Sequence, residues 1–371
     1  MSIYKKLGFL WSFSLLAAIL AGYYVNDLHW TWAGGLYVYG IVPLLDVLVG
    51  KDRSNVNHEK FEQTLHDQYF GALLYVFVYL QYALLSWGCY VLIADSLTTS
   101  EQILLMINIG LFSGSIINVA HELGHRSSQV AQFHAKLALL SVCYMHFFIE
   151  HNRGHHVHVA TPLDPASSRK NQALYAFWWQ SVVGSYQSAW RIETKILAKA
   201  GKSVWSRYNQ MLWFSALPVL LCTAMTVGFS VCSGYVTWIV PAFFLTQSLV
   251  AILLLESINY IEHYGITRRE LSPGKYERVN PLHSWNASQL VSNLVLFQLQ
   301  RHSDHHAYAS RPYQVLRHFD ESPQLPGGYP AMILLALVPP LWFAVMNPRL
   351  ERWQARAYEP EEIVAVVKQF A

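Results

Sequence analysis

The stretch that decides the fold is residues 103–125, ILLMINIGLFSGSIINVAHELGH. Its first part, Ile103–Ala120, carries no charged side chain, and a helix needs about 20 apolar residues to cross the hydrocarbon core of a bilayer. The run then ends in two histidines, His121 and His125, four residues apart. The stretch therefore predicts a membrane-spanning helix that carries imidazoles at its end.

A membrane composition extends along the whole chain. Of its 371 residues, 53% are hydrophobic and 13% are charged, whereas soluble domains carry about 25% charged residues. Six apolar runs are long enough to span a bilayer: Leu7–Val25, Trp30–Gly50, Phe70–Ala94, Ile103–Ala120, Leu212–Val231 and Tyr235–Leu255. The first is too long for the core of a signal peptide and another run follows it at once, so we expect it to be retained.

These runs predict an all-α protein that forms one membrane-embedded unit over residues 1–371. We expect a six-helix transmembrane bundle with a helical cap, mainly residues 121–210 and 256–350, that carries the histidine boxes. Lys5 and Lys6 precede the first run, Lys51 and Arg53 follow the second, and the turns 26–29, 95–100 and 232–234 contain neither lysine nor arginine. By the positive-inside rule, both termini and the cap are predicted to be cytoplasmic, in a bacterial cytoplasmic (inner) membrane.

Two further apolar segments are predicted not to cross. Ala131–Ile149 contains two histidines and a lysine, and if it crossed, the histidine clusters on either side of it would lie roughly 30 Å apart. We expect it to lie at or below the membrane surface. Ala331–Met346 is short and is broken by a proline pair at 339–340, which indicates an interfacial hairpin.

Four histidine clusters lie at the cytoplasmic ends of the predicted spans. They read HELGH (121–125), EHNRGHH (150–156), EHYG (262–265) and HSDHH (302–306). Spacings of three and four residues put side chains on one helical face, about 5–6 Å apart, so neighbouring imidazoles can reach one ion or two adjacent ions at about 2.0–2.1 Å. Nine histidines exceed what one ion takes, so two ions are predicted. Imidazole suits iron, zinc, copper and nickel, and the spacing leaves the metal open.

HELGH also matches the zinc-protease pattern H-E-x-x-H. A protease site needs one histidine pair and a third ligand, but not the further clusters, and Gly124 is unfavourable inside a helix. Each cluster carries or adjoins a carboxylate, and carboxylates beside ligating histidines usually fix the ring tautomer. We expect that role for Glu122, Glu150, Glu262 and Asp304.

The motifs resemble those of the membrane alkane 1-monooxygenase (alkane hydroxylase) family. The resemblance covers about Leu7 to Leu350 and includes His121–Arg126, Glu150–Ser167, Asn259–Gly265, Leu299–Ala307, Pro43–Asp46 and His283–Asn286. It implies a non-haem di-iron centre with nine ligands, namely His121, His125, His151, His155, His156, His263, His302, His305 and His306. It also implies that Asp164 supports the ligands.

The electron donor is predicted to be a separate protein. The four cysteines are far apart and form no C-x-x-C pair, so the chain holds no rubredoxin-type or iron–sulfur site of its own. The resemblance implies reduction by rubredoxin, which is itself reduced by an NADH-dependent rubredoxin reductase. The net charge of +3 indicates no nucleic-acid partner.

The implied reaction is the O2-driven terminal hydroxylation of n-alkanes to 1-alkanols. An unactivated methyl group offers no acidic proton and no leaving group, so only an oxidising metal centre can attack it. The substrate arrives dissolved in membrane lipid, and the resemblance suggests that bulk on one face of the second span, with Val38, Tyr39 and Asp46, stops the chain. The small Val38 predicts medium-chain alkanes of about ten to sixteen carbons, with a graded limit because each buried CH2 contributes about 0.8 kcal/mol.

Two other interpretations remain open. Fatty-acyl desaturases and ring-methyl hydroxylases share the histidine boxes but differ in the residues between them, and their products would be an alkene or a benzylic alcohol. A metal transporter is an alternative of a different class. It would place its ligands along a transmembrane path, whereas these histidines are predicted to lie together at helix ends.

Overall fold

The computed structural model describes residues 2–25, 30–356 and 364, and this part of the chain is mostly helical. The helices are α1 (Ile3–Tyr24), α2 (Ala33–Val49), α3 (His58–Leu65), α4 (Gln68–Ala94), α5 (Thr99–Gly124), α6 (Gln129–Leu140), α7 (147–158), α8 (Leu174–Lys199), α9 (Gln210–Ser233), α10 (Ile239–His263), α11 (Leu290–Val295), α12 (His302–Ala307), α13 (Tyr329–Ala336) and α14 (Pro339–Ala355). A short antiparallel hairpin, which the sequence analysis did not predict, pairs β1 (Glu270–Ser272) with β2 (Lys275–Tyr276).

Among the described residues, five helices are long and apolar enough to cross a membrane, namely α1, α4, α5, α9 and α10. The second predicted span corresponds to α2, which is apolar but shorter, so α2 is the sixth apolar helix of the predicted set. α13 and α14 would pass as a span only as a pair, and they are bent by 120° where the proline pair begins α14. The predicted all-α membrane fold with histidine-rich clusters is confirmed.

Helix α5 is the centre of the bundle and α9 lies at its rim. In the most apolar stretch of α5, 78% of the residues are buried by the protein, against 11% in α9. The main partner of α5 is α10, and small residues allow their close approach. A Cβ atom at Gly110 would lie 2.6 Å from the side chain of Val250, which real contacts do not allow, so glycine sets the separation of these two helices.

Both central helices run past the ends of their apolar runs. α5 ends at Gly124 rather than Ala120, and α10 ends at His263 rather than Leu255. Their last turns therefore rise out of the apolar layer while the backbone stays helical. As a result, the HELGH and EHYG motifs lie at the ends of two helices that pack against each other.

The segment 131–149 is not a single spanning helix. α6 ends at Leu140, and the next residues turn, with Cys143 in the left-handed region at φ 55°. α7 then begins at Phe147. This turn returns the chain beneath α5, so the histidines before and after it lie on the same side of the bundle.

Candidate metal centre

The structure brings the nine predicted ligands together from four helices, α5, α7, α10 and α12. They form two groups, and within each group one ring nitrogen per histidine lies within 4.8 Å of all the others. The first group, called the five-histidine cluster below, consists of His121, His125, His151, His156 and His305. The second, the four-histidine cluster, consists of His155, His263, His302 and His306.

The five-histidine cluster has the geometry of a ligand cage. The Nε2 atoms of His121 and His305 are 2.8 Å apart, and that of His151 lies 3.2 Å from His125 and 3.0 Å from His156. Two nitrogens that bind one ion at right angles, each about 2.1 Å from it, would be about 3.0 Å apart. The chemistry of this donor set therefore fits a metal ion, because five ring nitrogens this close together can bind one cation.

The four-histidine cluster repeats the arrangement beside the first. The Nε2 atom of His302 is 2.8 Å from that of His306 and 3.3 Å from that of His263, and His155 is 3.3 Å from His306. The clusters adjoin, since the rings of His156 and His306 have centroids only 4.6 Å apart. Two neighbouring all-imidazole sites fit two ions better than one.

A π-helical turn at His151–His155 distributes the second histidine box between the clusters. In a regular α-helix residues four apart share a face, and His151 would pair with His155. The wider π turn places residues five apart on one side, so that His151 and His156 enter the five-histidine cluster and His155 enters the other. π turns are rare in proteins, and those that occur are often found at functional sites.

Burial keeps these imidazoles neutral. It lowers the pKa of the rings outside the membrane-spanning helices well below the usual value, at His151, His156, His302, His305 and His306. A metal binds the unprotonated nitrogen of a neutral imidazole. The cap therefore holds its histidines in the protonation state that metal binding needs.

Asp164 fixes the orientation of His155. Its Oδ2 atom accepts a hydrogen bond from Nδ1 of His155 at 2.9 Å and from the Ser167 hydroxyl at 2.6 Å. Burial lowers the pKa of His155, but the Asp164 carboxylate raises it by more, so that the net pKa of His155 is raised. In return, burial raises the pKa of Asp164, but the His155 imidazole holds it below its usual range. A proton held on Nδ1 leaves Nε2 free to bind a metal.

The four other carboxylates predicted to hold rings differ in their contacts. Glu262 lies 3.2 Å from Nε2 of His302, on the side that faces the cluster, and accepts a hydrogen bond from the Tyr329 hydroxyl at 2.7 Å. The pKa of Glu150 is raised to about 8, first by burial and then by the negative charge of Asp164. Glu150 therefore lies in the same acidic region as Asp164.

Glu122 and Asp304 contact arginines instead of imidazoles. Glu122 pairs at 3.1 Å with Arg126, which lies just past the end of α5. Asp304 pairs with Arg311 and with Arg317. In the described part of the chain their ion pairs are with arginines, and their expected role in fixing a histidine ring stays a prediction.

Comparison with known proteins agrees with this geometry. The fatty acid desaturase family matches residues 101–336, the part that contains all nine predicted histidine ligands. The chain is 45% identical over 329 residues to alkane 1-monooxygenase 2 of Alcanivorax borkumensis, which covers 88% of this chain and 84% of that protein. It is 42% identical over 336 residues to an alkane 1-monooxygenase of Acinetobacter baylyi, with coverages of 90% and 81%. The chain belongs to the alkane 1-monooxygenase family.

The chain also has a more distant relative, the hydroxylase component of the xylene/toluene monooxygenase of Pseudomonas putida. It is 28% identical over 348 residues, covering 92% of this chain and 88% of the relative. Membership in the family makes the chain an oxidoreductase of the monooxygenase class. Its histidine clusters are of the histidine-box desaturase and hydroxylase type, and they can hold metal.

The residues predicted to limit the length of the bound alkane lie on α2. Val38 and Tyr39 are half-buried and pack against the apolar core, on the π-helical turn Tyr37–Ile41. Asp46 is buried, and its Oδ1 atom accepts a hydrogen bond from the backbone N–H of Ser292 at 3.0 Å. Asp46 therefore connects α2 to α11, the helix that leads to the fourth histidine box.

Sequence reasoning missed a buried carboxylate in α10. Glu256 accepts hydrogen bonds from the hydroxyl of Tyr144 at 2.6 Å, from the hydroxyl of Ser181 and from the amide of Asn259 at 3.1 Å. These contacts link α10 to α8 and to the turn that precedes α7. The available signal was an acidic residue directly after an apolar run, since intramembrane charges usually have a partner and a role.

The remaining histidines that the structure describes lie outside the two clusters. Nε2 of His134 contacts the hydroxyl of Tyr79 at 2.9 Å, His283 contacts Glu277 and His318 contacts Ser288. His158 is half-buried, whereas His58 and His66 are exposed. His29 lies outside the described residues.

Proposed function

We propose that this protein is a rubredoxin-dependent alkane 1-monooxygenase with two bound irons. The single observation that carries the proposal is the pair of adjoining all-imidazole clusters at the ends of apolar helices. The names of the relatives support an alkane as substrate and O2 as oxidant. The balanced reaction converts R–CH3, O2, two electrons and two protons into R–CH2OH and water.

The irons, when bound, would supply the redox chemistry that O2 activation and attack on an unactivated C–H bond require. The chain's own residues would hold and orient them. The nine histidines would provide neutral ligands, and Asp164 would hold the Nδ1 proton of His155, so that this ring presents Nε2. Apolar helices would exclude water from the reacting methyl group, and n-alkane would enter from the membrane lipid.

The same proposal includes the placement of the chain. We place it as a multi-pass protein of the bacterial inner membrane, folded as one unit, with both termini and the histidine cap on the cytoplasmic side. Lys5 and Lys6 at the start of α1 support this orientation. A cytoplasmic cap would be accessible to a soluble rubredoxin.

The test uses the purified full-length protein loaded with iron. With reduced rubredoxin, n-dodecane and isotopically labelled O2, we expect 1-dodecanol that carries one labelled oxygen atom, and metal analysis should find two irons per chain. Failure to oxidise alkane in protein with full iron would contradict the proposal.

The distant relative provides the second candidate, a ring-methyl hydroxylase. A parallel reaction with p-xylene separates the two functions. If benzylic alcohol forms at a higher kcat/KM than 1-dodecanol, the ring-methyl assignment replaces the alkane assignment.

A further inference from the structure

A large cavity lies away from α2, the helix that carries the predicted substrate-channel residues. This open cavity of about 890 Å³ is lined by α8, α9, α10 and the turn before α7. This volume falls within the roughly 300–1,000 Å³ of pockets that bind small molecules. Val38, Tyr39 and Asp46 belong to a different helix, so this cavity and the predicted substrate channel are separate features.

The walls of the cavity are apolar and reach the membrane layer. On α9 the lining runs from Phe214 to Thr223, and on α10 from Phe244 to Ile252. The α9 portion alone is about 14 Å long at 1.5 Å per residue. Because α9 is mostly exposed and lies at the rim of the bundle, a long apolar molecule could pass between this cavity and the lipid.

One end of the cavity carries a buried polar atom without a partner. The imidazole of His146 lines the cavity and is 7% exposed, and among the described residues its Nε2 atom has no hydrogen-bond partner. Two neighbouring hydroxyls are already engaged, that of Tyr144 with Glu256 and that of Tyr186 with Ser215. A buried polar atom without a partner costs roughly 1–3 kcal/mol, so a ligand that bonds to His146 would gain from satisfying it.

This polar end lies close to the metal centre. The ring of Tyr144 packs against His146 with centroids 4.4 Å apart and stacks on Phe147 at 6.0 Å. Phe147 in turn stacks on His151, a member of the five-histidine cluster, at 4.6 Å. One layer of aromatic rings therefore separates the cavity from the cluster.

We propose that this cavity binds a long-chain primary alcohol, with the alkyl chain between α9 and α10 and the hydroxyl hydrogen-bonded to His146. This assignment rests on the proposed function, since a primary alcohol is the product of alkane hydroxylation. An alkane fills the apolar walls equally well but cannot bond to His146. Burial lowers the pKa of His146 to about 4, so the neutral ring can accept the hydrogen bond of a hydroxyl. The cavity is thus a product site beside the metal centre, from which the alcohol passes into the lipid.

The experiment maps the site with a photoreactive twelve-carbon primary alcohol that carries a diazirine at its far end. It is applied to the iron-loaded full-length protein in lipid nanodiscs, and the labelled peptides are identified by mass spectrometry. We expect labels on α9 and α10 within 214–223 and 244–252. Unlabelled 1-dodecanol should protect these peptides, and n-dodecane at the same concentration should protect them less.

Three variants locate the contact. His146→Leu should raise the 1-dodecanol concentration for half-protection roughly five- to tenfold, the effect of one lost hydrogen bond. Thr223→Trp, which fills the cavity from the exposed side of α9, should abolish the labelling. Val227→Trp, one turn further along α9 and 56% exposed, is the matched control and should label as the unchanged protein does. Equal iron content in all variants shows that each one folds.

Equal protection by n-dodecane and 1-dodecanol would overturn the alcohol assignment, as would labelling that neither His146→Leu nor Thr223→Trp alters. Labelling confined to α2 would overturn it as well. Because the assay supplies the alcohol directly, it is independent of turnover. A failure of the proposed function would be seen instead as an absence of 1-dodecanol in the reaction with n-dodecane.

Discussion

The substitution Asp164→Asn tests whether this carboxylate supports metal binding at the four-histidine cluster. The carboxylate of Asp164 is fully buried and accepts three hydrogen bonds, from Nδ1 of His155 at 2.9 Å, from the hydroxyl of Ser167 at 2.6 Å and from the backbone N–H of Ala166 at 3.1 Å. Asparagine has the same shape but only one acceptor oxygen, so in either orientation its amide group meets at least one donor. The proton on Nδ1 of His155 loses its ionic partner.

Loss of such a supporting carboxylate usually lowers metal affinity by about 10–100-fold, or about 1.4–2.8 kcal/mol. His155 belongs to the four-histidine cluster only, so we expect the weakening at that cluster. Iron would be counted by mass spectrometry after dialysis against chelators of increasing strength. The unchanged protein should retain two irons under conditions in which Asp164→Asn retains one.

The matched control is Asp320→Asn. Asp320 also contacts a histidine, His318, at 3.1 Å, but its side chain is 70% exposed and lies outside both clusters. It should keep both irons at every chelator strength. If Asp164→Asn loses both irons in parallel, or neither more readily than the control, then Asp164 does not act through His155 on one cluster.

Three further predictions concern the ligands, the substrate channel and the packing of the bundle. His156→Ala should lower the iron content and abolish turnover because it removes a ligand of the five-histidine cluster, whereas His158→Ala, two residues away and outside both clusters, should change neither. Val38→Trp should shift the products of an alkane mixture towards shorter chains, and Val47→Trp, on an 80% exposed position of the same helix, should not; an unchanged product profile in Val38→Trp would remove that residue from the channel. Gly110→Val should destabilise the protein by about 1–3 kcal/mol, seen as a lower Tm, because its side chain would meet α10; an unchanged Tm would mean that the two helices can separate without loss.

Much of the fold could be predicted from the sequence because membrane insertion depends on local composition. An apolar run such as Ile103–Ala120 must be helical in lipid, where each backbone N–H and C=O needs a partner within the segment. The prediction that 131–149 does not cross rested instead on the need for the histidine clusters to share one site, and the turn at Cys143 agrees with it. The hairpin at 270–276 was missed because it is exposed and has almost no apolar pattern.

The candidate site was predictable as a set of residues but not as an arrangement. Box spacing and family resemblance identified the nine histidines, since ligands must recur at helical intervals near one another. Neither could assign His155 and His156 to different clusters, because that division depends on a π turn for which the spacing gives no signal. Glu256 was missed for a related reason: its partners Tyr144 and Ser181 are far away in the sequence.

The sequence by itself determined that the chain is a helical membrane protein and that imidazoles collect at the ends of its spans. Only the tertiary structure decided that these imidazoles form two cages, which carboxylates hold a ring and which contact arginines, and that a separate cavity ends at His146. The physical reason is the range of the interactions. Burial of apolar surface is set by local composition, whereas ligand geometry and hydrogen bonding depend on distances of about 3 Å between residues that only packing brings together.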